Sequence, residues 1–576
     1  MTRLSVWAPT SKSVKLQLAG ARVALQRRTD GFWELDQPVL PAGTDYQFVL
    51  DDGPPLPDPR SPHQPQGVHG PSRIVDHAAF EWTDAGWRAP PLASGLVYEL
   101  HVGTFSRSGD FDGVRSRLDY LADLGITHVE LMPVNEFPGR RGWGYDGVDL
   151  FAPHHAYGGP DALKRLVDAC HGRGLAVLLD VVYNHLGPDG NYLGQYGPYF
   201  TDAYSTPWGP ALNLDQAGSD EVRRFICDNA LMWLRDYHFD GLRIDAVHAF
   251  YDRSAKPLLE QLAEEVEALE LQVRRPLVLV AESDLNDPRL IRPRAVGGFG
   301  LTAQWSDDFH HALHALVTGE QAGYYEDFGR VYHVARALLN GYVYDGGYSR
   351  HRARRHGRPA IGVPRRKLLG YLQTHDQVGN RAQGERMGQL APASRVMAAA
   401  ALVLTSPFVP MLFQGEEWNA STPFCYFTDH QDPDLSHAVS VGRRSEFASF
   451  GWLPEEVPDP QDPDTFERSC LQWDEIDETA HRRVLEWYRR LIELRRTISD
   501  LRAEPVQVDF DDSGAWLRLV RKRTVVAVNF GSLTQRVSVP PGAELLLGSS
   551  PEVRLSGGKL VLPVDAVGIA ALDPEP

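Results

Sequence analysis

The stretch GLRIDAVHAF, residues 241–250, joins an apolar interior run to charges that do not belong in one. Leu242, Ile244, Ala246 and Val247 are interior residues, yet Arg243 and Asp245 stand among them. A buried ion costs several kcal/mol unless it is paired or used in chemistry. Such a run suits a strand whose body is buried on both faces and whose end opens into a site.

The same kind of run recurs. LVYELHV, HVELMPV, LAVLLDVVYN, GLRIDAV, LVLVAES, LTAQW, LLGYLQ and VPMLF read as eight strands between residues 91 and 415, separated by amphipathic helices. Between the third and fourth, Val222, Ile226, Ala230, Trp233 and Tyr237 recur at helical spacing. Eight β/α units predict an α/β chain built around a (β/α)8 TIM barrel.

Outside the barrel the pattern changes. Residues 1–90 hold short alternating runs (LSVWA, VKLQLA, YQFVL) broken by DG, AG and DDGPP turns and closed by PPLPDPRSPHQPQGVHGPS, which predicts an N-terminal β-sandwich. Trp7 and Trp33 are read as its core. Residues 91–499 then form the catalytic barrel with a helical extension, TAHRRVLEWYRRLIELRRTI, and residues 500–576 a C-terminal antiparallel β-domain. The basic run RHRARRHGR, 350–358, is read as a solvated loop before the seventh strand, with a substrate-covering loop as the alternative.

A formal net charge of −18 disfavours nucleic acid and anionic membranes as partners and fits a neutral ligand. No run of about 20 apolar residues is present, so no membrane span is expected and a cytoplasmic location is. Cys170, Cys227, Cys425 and Cys470 form no CxxC pair and are read as free thiols.

In a TIM barrel the chemistry sits at the C-terminal ends of the strands. The third strand ends in DVVYNH (Asp180, Asn184, His185), the fourth in RIDAVH (Arg243, Asp245, His248), the fifth in AES (Glu282) and the seventh in QTHDQ (His375, Asp376). Three of these carboxylates, Asp245, Glu282 and Asp376, therefore converge on one mouth, with Arg243, His185 and His375 nearby. A metal site, a structural ion network and acid/base work on a sugar all use such a set. His310 and His314 in DDFHHALH have the i, i+4 spacing of helical metal ligands, but no HExxH accompanies them, and no metal is expected. Retaining glycoside chemistry accounts for the set most economically: Asp245 as nucleophile, kept ionised by Arg243, Glu282 as acid/base with a raised pKa, and Asp376 on the sugar hydroxyls.

DVVYNH, GLRIDAVH, the Glu282 strand and QTHDQ resemble the four signature regions of the α-amylase family, glycoside hydrolase family 13, and LNLD at 212–215 resembles an additional region of that family. The resemblance implies Asp245 as nucleophile, Glu282 as acid/base, Asp376 as transition-state stabiliser, and Arg243, His185 and His375 in the sugar subsite. It also implies a stacking role for Tyr145 in GWGYDG, where a plain core tyrosine is the alternative. ELMPVNEFPGRRGWGYDGV, AESDLNDPR, AQWSDDFHHALH, QTHDQVGNRA and GEEWNASTPFCYFTDH resemble one subfamily, the maltooligosyltrehalose trehalohydrolases.

That resemblance implies maltooligosyltrehalose as substrate, trehalose as product, water as acceptor and no cofactor. A branching transferase and a non-catalytic glucan-binding protein are the alternatives. Asp307, Asp308 and His310, after the sixth strand, are nominated to select trehalose as leaving group; capping of the helix that begins there is the alternative for the two acids.

Overall fold

The eight apolar runs become eight parallel strands closed into one barrel: β1 (Val97–Leu100), β2 (His128–Leu131), β3 (Ala176–Val181), β4 (Gly241–Ile244), β5 (Val278–Ala281), β6 (Ala303–Trp305), β7 (Leu368–Tyr371) and β8 (Val409–Phe413). Each pairs with the next, and β8 closes on β1. Their residues are buried almost throughout, which is why they read as continuous apolar runs rather than alternating ones. The computed structural model describes residues 4–36, 40–448, 452–504 and 506–572.

The helix before β4 spans Ser219–Asp236 and buries Val222, Ile226, Ala230 and Trp233; Tyr237 follows it directly and is also buried. Two excursions rise from the C-terminal ends of the strands. After β2 a two-stranded hairpin pairs Asn135–Glu136 with Asp149–Pro153. After β3 a second hairpin pairs Phe200–Thr206 with Gly209–Leu212, with Trp208 at its turn.

The N-terminal segment forms two small antiparallel sheets. Trp7 and Trp33 are buried in them, and Trp7 meets Tyr199 of the second excursion edge-on at 5.4 Å. Tyr196 of that excursion donates to Pro57 O at 2.6 Å. The sandwich therefore braces one wall of the barrel mouth. After the helix Thr479–Thr497 the chain forms a five-stranded and a three-stranded antiparallel sheet between Gln507 and Ala571. The four cysteines are free, and among the described residues no helix is long and apolar enough to cross a membrane.

The basic run differs from the expected loop. Asp345–Ser349 and Arg354–Gly357 pair as a hairpin, and Arg352 at its turn reaches Asp284, two residues beyond Glu282, at 2.9 Å. The charge that resembled a solvated face is partly neutralised by an acid that only tertiary structure brings to it.

The connection from sandwich to barrel is pinned at the N-terminal end of the strands. His171, the last residue of the helix Gly159–His171, lies between Asp84 (2.8 Å) and Asp240 (3.0 Å), the residue just before β4. Trp87 stacks on His171 at 4.6 Å and donates to Asp240 at 2.8 Å, while Trp82 stacks on His238 at 3.8 Å. Burial pushes the Asp84 carboxyl up, but His171 and His238 outweigh it and hold it below its usual range. Burial pulls His171 down, but Asp240 and Asp84 outweigh that and raise it. The contribution of Asp84 is complete above its ordinary 3.8 and is lost as pH falls through its lowered folded value; that of His171 is complete below its ordinary 6.5 and is lost as pH rises through its raised one. His171→Ala is therefore expected to destabilise the protein by about 3 kcal/mol near pH 5.5, and by less in alkali, in denaturant melts run across pH. A loss that does not vary with pH would assign His171 a packing role alone.

Candidate active site

Strand register builds the site. Arg243 on β4 lies opposite Asp180 on β3 and Val280 on β5, so Asp245 and Glu282, each just past its strand, emerge side by side. The Arg243 guanidinium is buried and lies over the face of Trp305, 4.2 Å from its centroid. Its Nη1 donates to Asp245 Oδ1 at 2.8 Å and to both Asp180 oxygens at 2.8 Å, and its Nη2 stands 3.8 Å from Glu282 Oε2. One cation thus faces three acids.

Asp245 Oδ2 also accepts from Asn184 Nδ2 at 3.1 Å. Ala246, the next residue, takes a left-handed conformation (φ 38°) that L residues other than Asn and Asp seldom adopt. That turn aims its N–H at Glu282 Oε2, 2.6 Å away. Asp245 and Glu282 are in this way tied through adjacent backbone.

Burial pushes the Glu282 carboxyl well above its usual range; Arg243 opposes the shift, and Asp245, Asp307 and Asp376 add to it. Asp376 goes the other way: burial pushes it up, but the His375 imidazole 3.4 Å away outweighs burial and holds it low. Two carboxyls of one site are thereby driven to opposite protonation states, one able to give a proton and one able to hold negative charge.

His375 is itself set from behind. Its Nδ1 lies 2.5 Å from Glu99 Oε1, and its backbone N–H donates to Glu99 Oε2 at 3.0 Å. Burial would lower its pKa, but Asp376 and Glu99 outweigh burial and keep it cationic. The protonated Nε2 then donates to the Tyr145 hydroxyl at 2.7 Å, which donates onward to Asp180 Oδ2 at 2.6 Å.

The GWGYDG motif places Tyr145 by close backbone packing. Gly144 has φ +97°, and a Cβ there would fall 2.2 Å from Pro133 O; a Cβ on Gly147 would fall 1.5 Å from Asn135 Nδ2. His185 Nε2 lies 3.0 Å from Tyr145 O, and its ring stacks on Trp208 at 4.6 Å.

These groups surround an open cavity of about 550 Å³. Asp245, Glu282, Asp376, Tyr145 and His185 line it, while Arg243 and His375 lie buried immediately behind. Trp143, Asp146, Trp208, Tyr426 and Arg443 line it too and were not singled out in the sequence. The last two come from the chain beyond β8, where no strand end points to them. Glu99, a lone acid inside LVYELHV, carries the same sequence signal as Arg243 inside GLRIDAV.

None of the three residues expected to select the leaving group lines the cavity. Asp308 is buried and accepts from Asn286 Nδ2 (2.8 Å), Val343 N (2.6 Å) and Tyr344 N (2.7 Å), so it holds two loops together. His310 is fully buried, with Nε2 3.1 Å from the Tyr325 hydroxyl. The physical reason is helical phase: in the helix Asp307–Thr318 these two face inward, a direction the sequence pattern left open. Asp307 acts on the cavity only through its charge, which adds to the Glu282 shift; it accepts from the Tyr371 hydroxyl, and burial pushes its own carboxyl up to about 7, with Asp284 and Asp376 adding to the shift. The His310/His314 pair is not a ligand set either, since His314 Nε2 is 2.7 Å from Glu320.

Residues 78–204 match the model of the alpha amylase catalytic domain, and residues 501–569 match a domain of unknown function, DUF3459. The chain is 48% identical over 574 residues to the malto-oligosyltrehalose trehalohydrolase of Rhizobium sp. (strain M-11), covering 97% of this chain and 96% of that one. It is 50% identical over 545 residues to the enzyme of the same name from Arthrobacter ramosus, covering 94% and 93%. A crystal structure described as a putative alpha amylase from Salmonella typhimurium superposes with a TM-score of 0.91 at 39% identity, over 99% of this chain and 97% of that one. Identity of 48% and 50% to these two relatives over nearly the whole of both chains places this chain in the malto-oligosyltrehalose trehalohydrolase family, on an alpha-amylase catalytic domain.

Proposed function

We propose that this chain is a retaining glycoside hydrolase that cuts the α-1,4 bond next to the terminal trehalose of maltooligosyltrehalose. The observation that carries the reading is the opposed setting of carboxyls in one cavity: Glu282 raised by burial, and Asp245 bound to the Arg243 cation. The names of the relatives supply the substrate.

In the first step Asp245 Oδ attacks the anomeric carbon while Glu282 gives its proton to the departing glycosidic oxygen, which leaves on trehalose. The glycosyl group is then an ester of Asp245. Glu282, now ionised, takes a proton from water as that water attacks the same carbon, and Asp245 is released with the maltooligosaccharide. Asp376, held anionic by His375, accepts from ring hydroxyls and stabilises positive charge developing on the sugar. Tyr145, fixed between His375 and Asp180, offers an aromatic wall to the reacting ring. The reading requires no cofactor, and a role in forming trehalose inside the cell follows from it.

Products identified by chromatography after incubation with maltooligosyltrehalose, and separately with a maltooligosaccharide of equal length, test the substrate. Free trehalose from the first, with far slower cleavage of the second, is the expected result; branched or lengthened glucans without trehalose would make the enzyme a transferase. Asp245→Asn and Glu282→Gln are each expected to lower kcat by about 10³-fold. Because the acid must start protonated, kcat/KM should fall as pH rises through the raised Glu282 pKa, and this alkaline limb should vanish in Glu282→Gln. Asp308→Ala leaves three donors unpaired and should cost about 2 kcal/mol of stability while leaving the preference for trehalose unchanged. A changed preference would return Asp308 to the specificity site.

A further inference from the structure

Outside the catalytic cavity, Glu136, His154 and His155 bring together side chains of the kind that hold a metal. One ligand atom from each lies within 4.8 Å of the others. Glu136 Oε1 stands 3.2 Å from His154 Nδ1 and 2.6 Å from His155 Nδ1, so both imidazoles turn the same nitrogen to a single carboxylate oxygen. The other oxygen, Oε2, is fixed by the His155 backbone N–H at 2.7 Å.

His154 is the telling residue. It is fully buried, and neither ring nitrogen has a hydrogen-bond partner among the described residues. A neutral imidazole carries one donor and one acceptor, and burying both unpaired is unfavourable. The ring is nonetheless held firmly, stacked on Phe137 at 3.7 Å and set edge-on to His155 at 4.8 Å. His154 Nδ1 and Glu136 Oε1 stand 3.2 Å apart without a hydrogen bond between them, a spacing that two ligand atoms about 2.1 Å from one small cation would take.

We propose that Glu136, His154 and His155 bind one divalent first-row transition metal ion. Two imidazoles and one carboxylate suit Zn²⁺, Co²⁺ or Ni²⁺; Ca²⁺ and Mg²⁺ prefer all-oxygen sets. The site has a structural use. Glu136 ends one strand of the hairpin after β2, and His154 and His155 follow the other, Asp149–Pro153. Everything between them is the loop that carries Trp143 and Tyr145, both lining the catalytic cavity. An ion here joins the two ends of that loop, independently of what the cavity cleaves.

Chelator-treated protein titrated with Zn²⁺ by calorimetry is expected to take up one equivalent, with Ca²⁺ giving none. Saturation should raise Tm by about 2–3 °C. Co²⁺ should give visible absorption bands of a low-coordinate nitrogen/oxygen site. His155→Ala, which removes a partly exposed ligand, and His154→Gln, which keeps the volume, should each weaken binding at least about tenfold and abolish the Co²⁺ bands while leaving the circular dichroism unchanged. Absence of stoichiometric uptake by the wild type, or uptake undiminished in both variants, would overturn the site and leave Glu136 as a buried carboxylate hydrogen-bonded to His155.

Discussion

The Arg243 guanidinium is the group around which the active site is arranged. It is buried, and breaking a buried ion pair by removing one partner typically costs about 3–5 kcal/mol, so its acids cannot be dispensed with singly. Asp180 meets it from the neighbouring strand, Asp245 from two residues along its own, Glu282 from the next strand, and Trp305 from below. Strand register alone sets those partners. A slip of one residue between β3 and β4 would take Asp180 out of reach and leave a buried cation short of charge.

The two ends of β4 show how position decides what an ion does. Asp240, before the strand, is locked between His171, Trp87 and the Val177 N–H, which joins the sandwich connection to the underside of the barrel. Asp245, just after it, opens onto the cavity. Both are acids beside an apolar strand. One end of a (β/α)8 barrel carries stability and the other carries chemistry, because only at the C-terminal end do the long loops gather.

Division of labour among the carboxyls comes from surroundings rather than residue type. Glu282 gains a raised pKa from burial and neighbouring acids, and Asp376 a lowered one from the imidazolium that Glu99 holds in place. The chain Glu99, His375, Tyr145, Asp180, Arg243 is continuous in hydrogen bonds, so the proton positions along it are mutually dependent. Removing Glu99 would be felt at Tyr145.

The sequence by itself determined the barrel and three carboxyls that line its cavity. Eight strands buried on both faces must be written as apolar runs, and a charge within such a run is tolerated only where it is paired or used; Asp245, Glu282 and Asp376 stand at such places. What lies around them depended on direction and distance, which a linear pattern does not encode. Asp308 and His310 follow a signature strand yet turn inward on their helix, while Tyr426 and Arg443 reach the cavity from a segment with no strand-end signal. Glu136, His154 and His155 met only because a hairpin closed. Local periodicity reports which residues are buried, and only tertiary packing decides which buried residues face one another.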